Sequence, residues 1–420
     1  MTLNLHGRRI NVERLERQGS TFVGKHEPDI LKSDDTWFRG VELTYGPDGG
    51  VYILDWSDIG ECHENDGVHR NSGRIFKVTY GDAVKPKETD VTKLSDEELV
   101  KLQLSDNEWL VRMARWELRE RAHRGKVPAV AKQVLDTFKT APTPAKKLNA
   151  WWTMGYAGLL GADSPAAQDA IAAMVAEMIK SDSEFLRRWV LQSITAEGPT
   201  PRTARILASL AKEEDSAFVR LHLASALGRL ADAEKPALAN QLLSHADDAK
   251  DAYLPLMYWY GIMDMPPAEL AKLEPGCQIP LVRQFIARRC TEDIETNPAP
   301  LNTLLGNVAP SNSADILQGM TDGLKGWAKA KKPAAWDAFA AKVSEATQQE
   351  QLRALSALFG DGRALDDIKK LVLDDKADFA ARRNALQSSL LPSRRPARGV
   401  REAAQDARSE HDRRARAGAV

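Results

Sequence analysis

The sequence predicts a mainly α protein, a stack of short helix pairs preceded by a small antiparallel β module. Three observations lead to that fold class. Alternating apolar residues and turn residues fill the first 85 positions, as half-buried strands and tight hairpins require. From Ser95 onward Ala, Leu, Lys, Asp and Glu recur at helical spacing. Within that stretch one short pattern returns about nine times at intervals of roughly 28 to 38 residues, the mark of a repeat architecture. The expected division is 1–85 for the β module, 86–391 for the helical repeats and 392–420 for an Arg-rich, poorly ordered tail.

Composition narrows the function classes. The 420 residues carry 58 basic and 59 acidic side chains, a formal net charge of −1, which argues against a general nucleic-acid or anionic-membrane binder. No apolar run approaches the length of a membrane span. The start, Met1 to Gly7, lacks the basic and apolar segments of a signal peptide. The three cysteines, Cys62, Cys277 and Cys290, form no C-x-x-C or C-x-x-C-H pattern, so no zinc ribbon, thioredoxin site or attached haem is encoded by them.

In the β module, Leu3–Leu5 and Arg9–Leu15 flank His6-Gly7-Arg8, a tight hairpin in which Ile10 and Val12 alternate with polar residues. Trp37–Tyr45 alternates loosely and runs into Gly46-Pro47-Asp48-Gly49-Gly50. That is a turn signal, because Pro presets φ and Gly permits positive φ. Val51–Trp56 reads as a strand, residues 57–72 as a loop, and Gly73–Tyr80 as a further strand. Strands joined this way form an up-and-down meander, the pattern of a propeller blade.

The motifs His6-Gly7-Arg8-Arg9, Gly46-Pro47-Asp48-Gly49-Gly50, Asp55-Trp56-Ser57-Asp58, Glu61-Cys62-His63 and Gly73-Arg74-Ile75-Phe76 follow one another at close spacing. Together they resemble the closing part of the β-propeller in the large membrane-associated dehydrogenase-like proteins of planctomycetes and verrucomicrobia, which are similar to quinoprotein sugar dehydrogenases. The resemblance implies an incomplete β-propeller followed by HEAT-like repeats. It also implies calcium and pyrroloquinoline quinone as cofactors, and a periplasmic or membrane-associated setting. About 80 residues supply one or two blades, whereas a closed ring needs at least four, and the haem motif of the family is absent from this chain.

Candidate site residues cluster at one strand end and the loop after it. Asp55, Asp58 and Arg74 are candidates for cofactor contact, and Glu61, His63, Asp66 and His69 for a divalent metal, since dense carboxylates and imidazoles on a loop can converge on an ion. The spacing matches neither a helical His pair nor a calcium-loop motif. The alternative is architectural: a carboxylate that accepts backbone or Trp N–H bonds holds a loop rigid. Both readings stay open at this point. Arg74 can likewise face a loop carboxylate or stand as an edge-strand cation.

The helical part opens on Ser95-Asp96-Glu97-Glu98, a cap followed by acids at the positive end of a helix dipole. The repeated unit reads Ser105 to Leu118, then Ser181 to Leu191, then Glu214 to Ala224, with weaker copies at Pro280–Ala287, Gln351–Leu355 and Asp378–Leu386. Its elements are an acidic or Ser cap, an aromatic or aliphatic residue, an Arg, and an Ala/Leu face. The early Arg resembles HEAT-like units more than tetratricopeptide ones. One helix pair cannot bury its apolar side alone, so neighbours must stack. The recurrent Arg is expected to bond carboxylates or caps of the next unit. Trp151-Trp152 and Tyr258-Trp259-Tyr260 are expected to pack in the core, and the prolines at 266–267 and 298–300 to break between units.

Residues 392–420 hold eight Arg and no Lys and lose the apolar pattern. A basic tail and an out-of-frame continuation of the gene are the two readings of that stretch.

The expected function is a protein-interaction scaffold derived from, or a fragment of, a dehydrogenase-like protein, with a partner on the concave solenoid face. The alternative is part of a quinoprotein-like sugar or alcohol dehydrogenase whose remaining blades are missing from this chain. An exposed sheet edge adds a route to self-association.

Overall fold

The computed structural model describes the chain except residues 60–70, 83–88, 126–128, 161–163, 197, 361, 375–376 and 391–420, and the side chains of 362–367, 384 and 387–390. It is mainly helical, 57% helix with 18 α-helices, and carries two small antiparallel sheets of three strands each. Neither sheet closes into a barrel or a propeller. The chain divides into two compact units, residues 1–199 with 214–223, and residues 200–213 with 224–420. The β module therefore belongs to the same unit as the first helical repeats.

The first sheet has the order β1 (Thr2–Asn4), β2 (Arg9–Gln18), β3 (Thr21–Lys32). The expected hairpin sits between β1 and β2, where the Asn4 side chain accepts from the Gly7 N–H at 2.7 Å. Strand β3 was not legible in the sequence: most of its residues are polar, and Pro28 argues against a strand. It forms because it lies at the sheet edge, and because the ladder shifts register between Ile10 and Val12, opposite Pro28. Proline is tolerated at edges and bulges.

The second sheet has the order β4 (Gly40–Tyr45), β5 (Val51–Asp55), β6 (Arg74–Val78). The Gly46–Gly50 turn forms as expected, with the Gly46 N–H on the Gly50 carbonyl at 2.9 Å and the Gly50 N–H on Asp48 Oδ1 at 3.1 Å. A small core of Ile10, Phe38 and Ile53, with Leu3, Leu31 and Leu43 around it, joins the two sheets.

In the first unit the helices Asp96–Lys101, Glu108–His123, Ala131–Thr140, Pro144–Tyr156, Pro165–Ile179 and Glu184–Ile194 bury Leu118, Phe138, Met154, Met174 and Val190 in one cluster. Ser95 makes the expected capping box with Glu98. In the second unit the helices from Pro201–Glu213 to Phe379–Leu390 bury, among others, Leu242, Tyr258, Ile286, Leu304, Ile316 and Trp336. The helices Pro280–Glu292 and Ser313–Gly323 cross so closely that a Cβ at Gly319 would lie 2.1 Å from the Gln284 carbonyl oxygen, so only glycine fits there. Prolines open helices in both units, as at Pro144, Pro165, Pro267 and Pro280, because the missing N–H would be unbonded at that position anyway.

The recurrent Arg has a fixed job. Arg187, Arg220 and Arg283 each donate from Nη1 to the carbonyl six residues earlier, at Ser181, Glu214 and Cys277, over 2.6–2.7 Å. Arg187 and Arg283 also pair with an acid of the following unit, Glu214 and Asp315 respectively. In the first copy Val111 stands at that place, six residues after Ser105, and the next residue, Arg112, is exposed and turns to the β module, 3.3 Å from the Tyr45 hydroxyl.

Candidate functional site

The sequence-derived cluster lies at the end of the second sheet. Asp55 and Arg74 are cross-strand partners in the β5–β6 ladder, and they bond each other: Arg74 Nε donates to Asp55 Oδ2 at 2.7 Å, with Nη2 2.6 Å from the same oxygen. The other carboxylate oxygen accepts the backbone N–H groups of Arg39 at 2.7 Å and Ser57 at 3.0 Å. The Asp55 side chain has no solvent exposure. Its bond to the Ser57 N–H, two residues on, accompanies a positive φ of 53° at Ser57. A small polar residue tolerates that conformation when the turn is bonded locally.

Around this pair the chain is tied down further. Arg74 Nη1 donates to Asp35 at 2.6 Å. That bond, ahead of those with Asp55, holds the guanidinium pKa above its ordinary value. The backbone N–H of Trp37 first, and Arg74 next, hold the Asp35 carboxyl below the ordinary carboxylate range. Arg39 donates to the carbonyls of Thr36, Phe38 and Ile59. Asp58, also buried, accepts from the Trp56 indole N–H at 3.3 Å, and its own N–H reaches the Trp37 carbonyl at 3.0 Å.

The structure thus brings Asp55 and Arg74 together and sets Asp58 beside them on Trp56. Glu61, His63, Asp66 and His69 lie outside the described residues, as does Cys62. Asp35 and Arg39 complete the cluster and were missed in the sequence, since they sit in a polar stretch before β4 with no periodicity to mark them. Asp55 already accepts two backbone N–H groups on one oxygen and is bonded and ion-paired to Arg74 on the other, so as placed its carboxylate is committed within the chain. Arg74 is likewise committed to Asp55 and Asp35. The described residues alone do not fit a calcium or quinone site.

Beside the pair, the outward face of the second sheet carries an apolar strip that is exposed among the described residues. Val41, Leu54, Trp56 and Ile75 border a groove of about 510 Å³ with Asp55 and Arg74 at its end. Trp56 is 59% exposed and Ile75 69%. Leu54 and Ile75 are direct cross-strand partners, so the strip is continuous across β5 and β6.

A second groove, of about 540 Å³, lies among the helices Glu108–His123, Pro144–Tyr156 and Glu184–Ile194. Trp151, Trp152, Tyr156, Arg119, His123 and Ser193 take part in its walls. Trp151 is core, as expected from the sequence, and its indole N–H donates to Ser193 Oγ at 3.1 Å. Trp152 is only half buried and meets Trp189 edge-on at 5.1 Å. The helix Pro144–Tyr156 ends where Gly158 adopts a φ of 71°. The Gly158 N–H reaches the Gly155 carbonyl at 3.0 Å and the Leu159 N–H reaches that of Met154 at 2.9 Å. That bond pair is a Schellman end, and it fixes Tyr156 and Leu160 at the groove.

Residues 5–81 match a family profile described as a domain of unknown function (DUF7133). The match takes in β2 to β6 and the whole Asp55–Arg74 cluster. No curated protein and no solved structure matches the chain.

Proposed function

We propose that this chain is a protein-interaction scaffold, in which the helix pairs continue as a HEAT-like solenoid and the β module supplies a docking face. The observation that carries this reading is the exposed apolar strip of Val41, Leu54, Trp56 and Ile75. Contiguous apolar surface rimmed by polar groups marks an interaction site. The neighbouring polar groups, Asp55 and Arg74, bond each other and so brace the strip. No described helix is long and apolar enough to cross a membrane. The test is sedimentation of the full chain and of Ile75→Lys, together with a photo-crosslinker placed at Ile75. The expected result is association or a specific crosslink through Ile75 that Ile75→Lys abolishes at unchanged melting temperature. A chain that stays monomeric and yields no crosslink there would sink the reading.

A second reading is favoured by the same sheet. A propeller blade packs both faces against neighbours, and β4–β5–β6 carries apolar side chains on its outward face, Leu54 and Ile75, as well as on its inward one, Leu43 and Ile53. In that reading the chain is part of a quinoprotein-like sugar or alcohol dehydrogenase whose other blades cover the strip. Calcium and pyrroloquinoline quinone added to the purified full chain, followed by dye reduction with sugars, test it. Turnover together with a calcium-dependent melting shift supports it; absence of both removes it for this chain.

A further inference from the structure

We propose that the groove between the helices Glu108–His123, Pro144–Tyr156 and Glu184–Ile194 is a binding site for a planar aromatic carboxylate. Its volume, about 540 Å³, is that of a pocket for a small organic molecule. Its walls are held in place before any ligand arrives. Ser193 fixes the Trp151 ring, and Ser193 Oγ is itself anchored to the Trp189 carbonyl at 2.9 Å. Trp152 is wedged between Trp189 and the guanidinium of Arg115, 5.1 Å from each. Tyr156 and Leu160, 44% and 49% exposed, stand at the opening. Flat π-faces on a rigid frame select a flat ring.

The charge in the wall decides the rest of the ligand. No Asp or Glu is among the described residues that line the groove, and Arg119 brings a full positive charge. Arg119 Nε donates to His123 Nε2 at 3.3 Å, which makes that ring nitrogen the acceptor. The terminal guanidinium nitrogens of Arg119 have no hydrogen-bond partner among the described residues. A guanidinium with two free N–H groups matches a carboxylate in two-point geometry. A single cation balances one negative charge, so a monoanionic carboxylate fits better than a phosphate dianion.

The experiment is calorimetric titration of the full chain with indole-3-acetate, with its neutral isostere indole-3-acetamide, and with acetate. Indole-3-acetate is expected to bind about tenfold more tightly than the amide, and acetate to give no measurable heat. Arg119→Gln, a substitution at an exposed position, should erase the preference for the acid while leaving amide binding in place. Leu160→Trp should fill the opening and block both ligands at unchanged thermal stability. Equal affinity for acid and amide, acid preference retained in Arg119→Gln, or no binding of either indole would overturn the proposal.

Discussion

The guanidinium carbon of Arg17, in the long β2 strand, lies 4.2 Å from the ring centroid of Phe218, far along the chain in the helical repeats. Phe22 stands 4.1 Å from the same carbon and meets Phe218 edge-on at 5.8 Å, and the Arg17 Nη2 is paired with Glu184. Glu184 in turn accepts from the Ser216 hydroxyl at 2.5 Å. One cation thus clamps the strand pair β2–β3 to the helices Glu184–Ile194 and Ala217–Leu227. Arg17→Ala should destabilise the protein by about 1–2 kcal/mol, the worth of a partly desolvated cation–π contact. Urea denaturation of Arg17→Ala, Glu184→Ala and the double variant would give the coupling, and additive losses would show that the ion pair adds nothing.

Asp55 braces the end of the second sheet through three hydrogen bonds and an ion pair with Arg74. Asp55→Ala leaves two backbone N–H groups and a cation without their acceptor, and is expected to cost about 3 kcal/mol. Asp55→Asn keeps one side of that arrangement and should cost less. Thermal melts followed by circular dichroism check the order, and equal melting temperatures for all three proteins would contradict the bracing role.

His222 receives the Arg188 Nε–H at 2.9 Å and touches Phe218 edge-on. Burial first, and the Arg188 charge next, push its pKa down to about 4 from the ordinary 6.5. Between those values the unfolded chain takes up a proton that the folded chain refuses. Stability is therefore complete above pH 6.5 and falls as the pH drops towards 4. The loss by pH 4.5 should be about 1–2 kcal/mol after allowance for partial exposure. His222→Gln, which still accepts from Arg188, should remove that component. The check is the difference between the two proteins' denaturation midpoints across the window, since carboxylates titrate equally in both.

Arg283 and Asp315 bond through Nε and Nη2 at 2.8 and 2.6 Å, and Gln284 adds a third bond to the same carboxylate at 3.0 Å. The Arg283 side chain is about one-tenth exposed. Asp315→Ala leaves that charge with the Cys277 carbonyl and the buried Glu274 as its remaining partners and is expected to cost about 3 kcal/mol. Arg283→Met combined with Asp315→Leu should recover much of the loss. Guanidinium unfolding of the single and double variants distinguishes the two outcomes.

Burial pushes the Cys277 thiol up to about 11 and the Cys290 thiol up to about 12. Neither supplies thiolate near neutral pH, so neither should react with iodoacetamide at pH 8 in the folded protein. Mass spectrometry of the tryptic peptides is expected to show both unmodified until denaturant is added. Rapid alkylation of either in buffer would mean that the segment around it opens.

The pairing of Asp55 with Arg74 was among the options in the sequence, because a strand end and the start of a later strand place such residues within reach. The choice between bracing and ligand binding was not legible, for it depends on Arg39, Asp35 and Ser57, which no spacing rule links to Asp55. The groove beside Tyr156 was equally hidden. Adjacent tryptophans in an apolar helix read as core, yet Trp151 is buried and Trp152 only half so. Arg119 and His123, four residues apart, look like ordinary surface polars.

By itself the sequence determined the local elements: the glycine turn at 46–50, the cap at Ser95, the proline helix starts, and the Arg that answers an acid of the next repeat. Those depend on φ preferences, hydrogen-bonding capacity and periodicity within a few residues, or on a pattern that recurs at a fixed interval. Only the tertiary structure decided that β3 exists, that Arg17 meets both Phe22 and Phe218, and that an apolar strip is exposed among the described residues beside a braced ion pair. Each of these is a contact between segments remote in the chain, and its energy arises from desolvation that neither segment experiences alone.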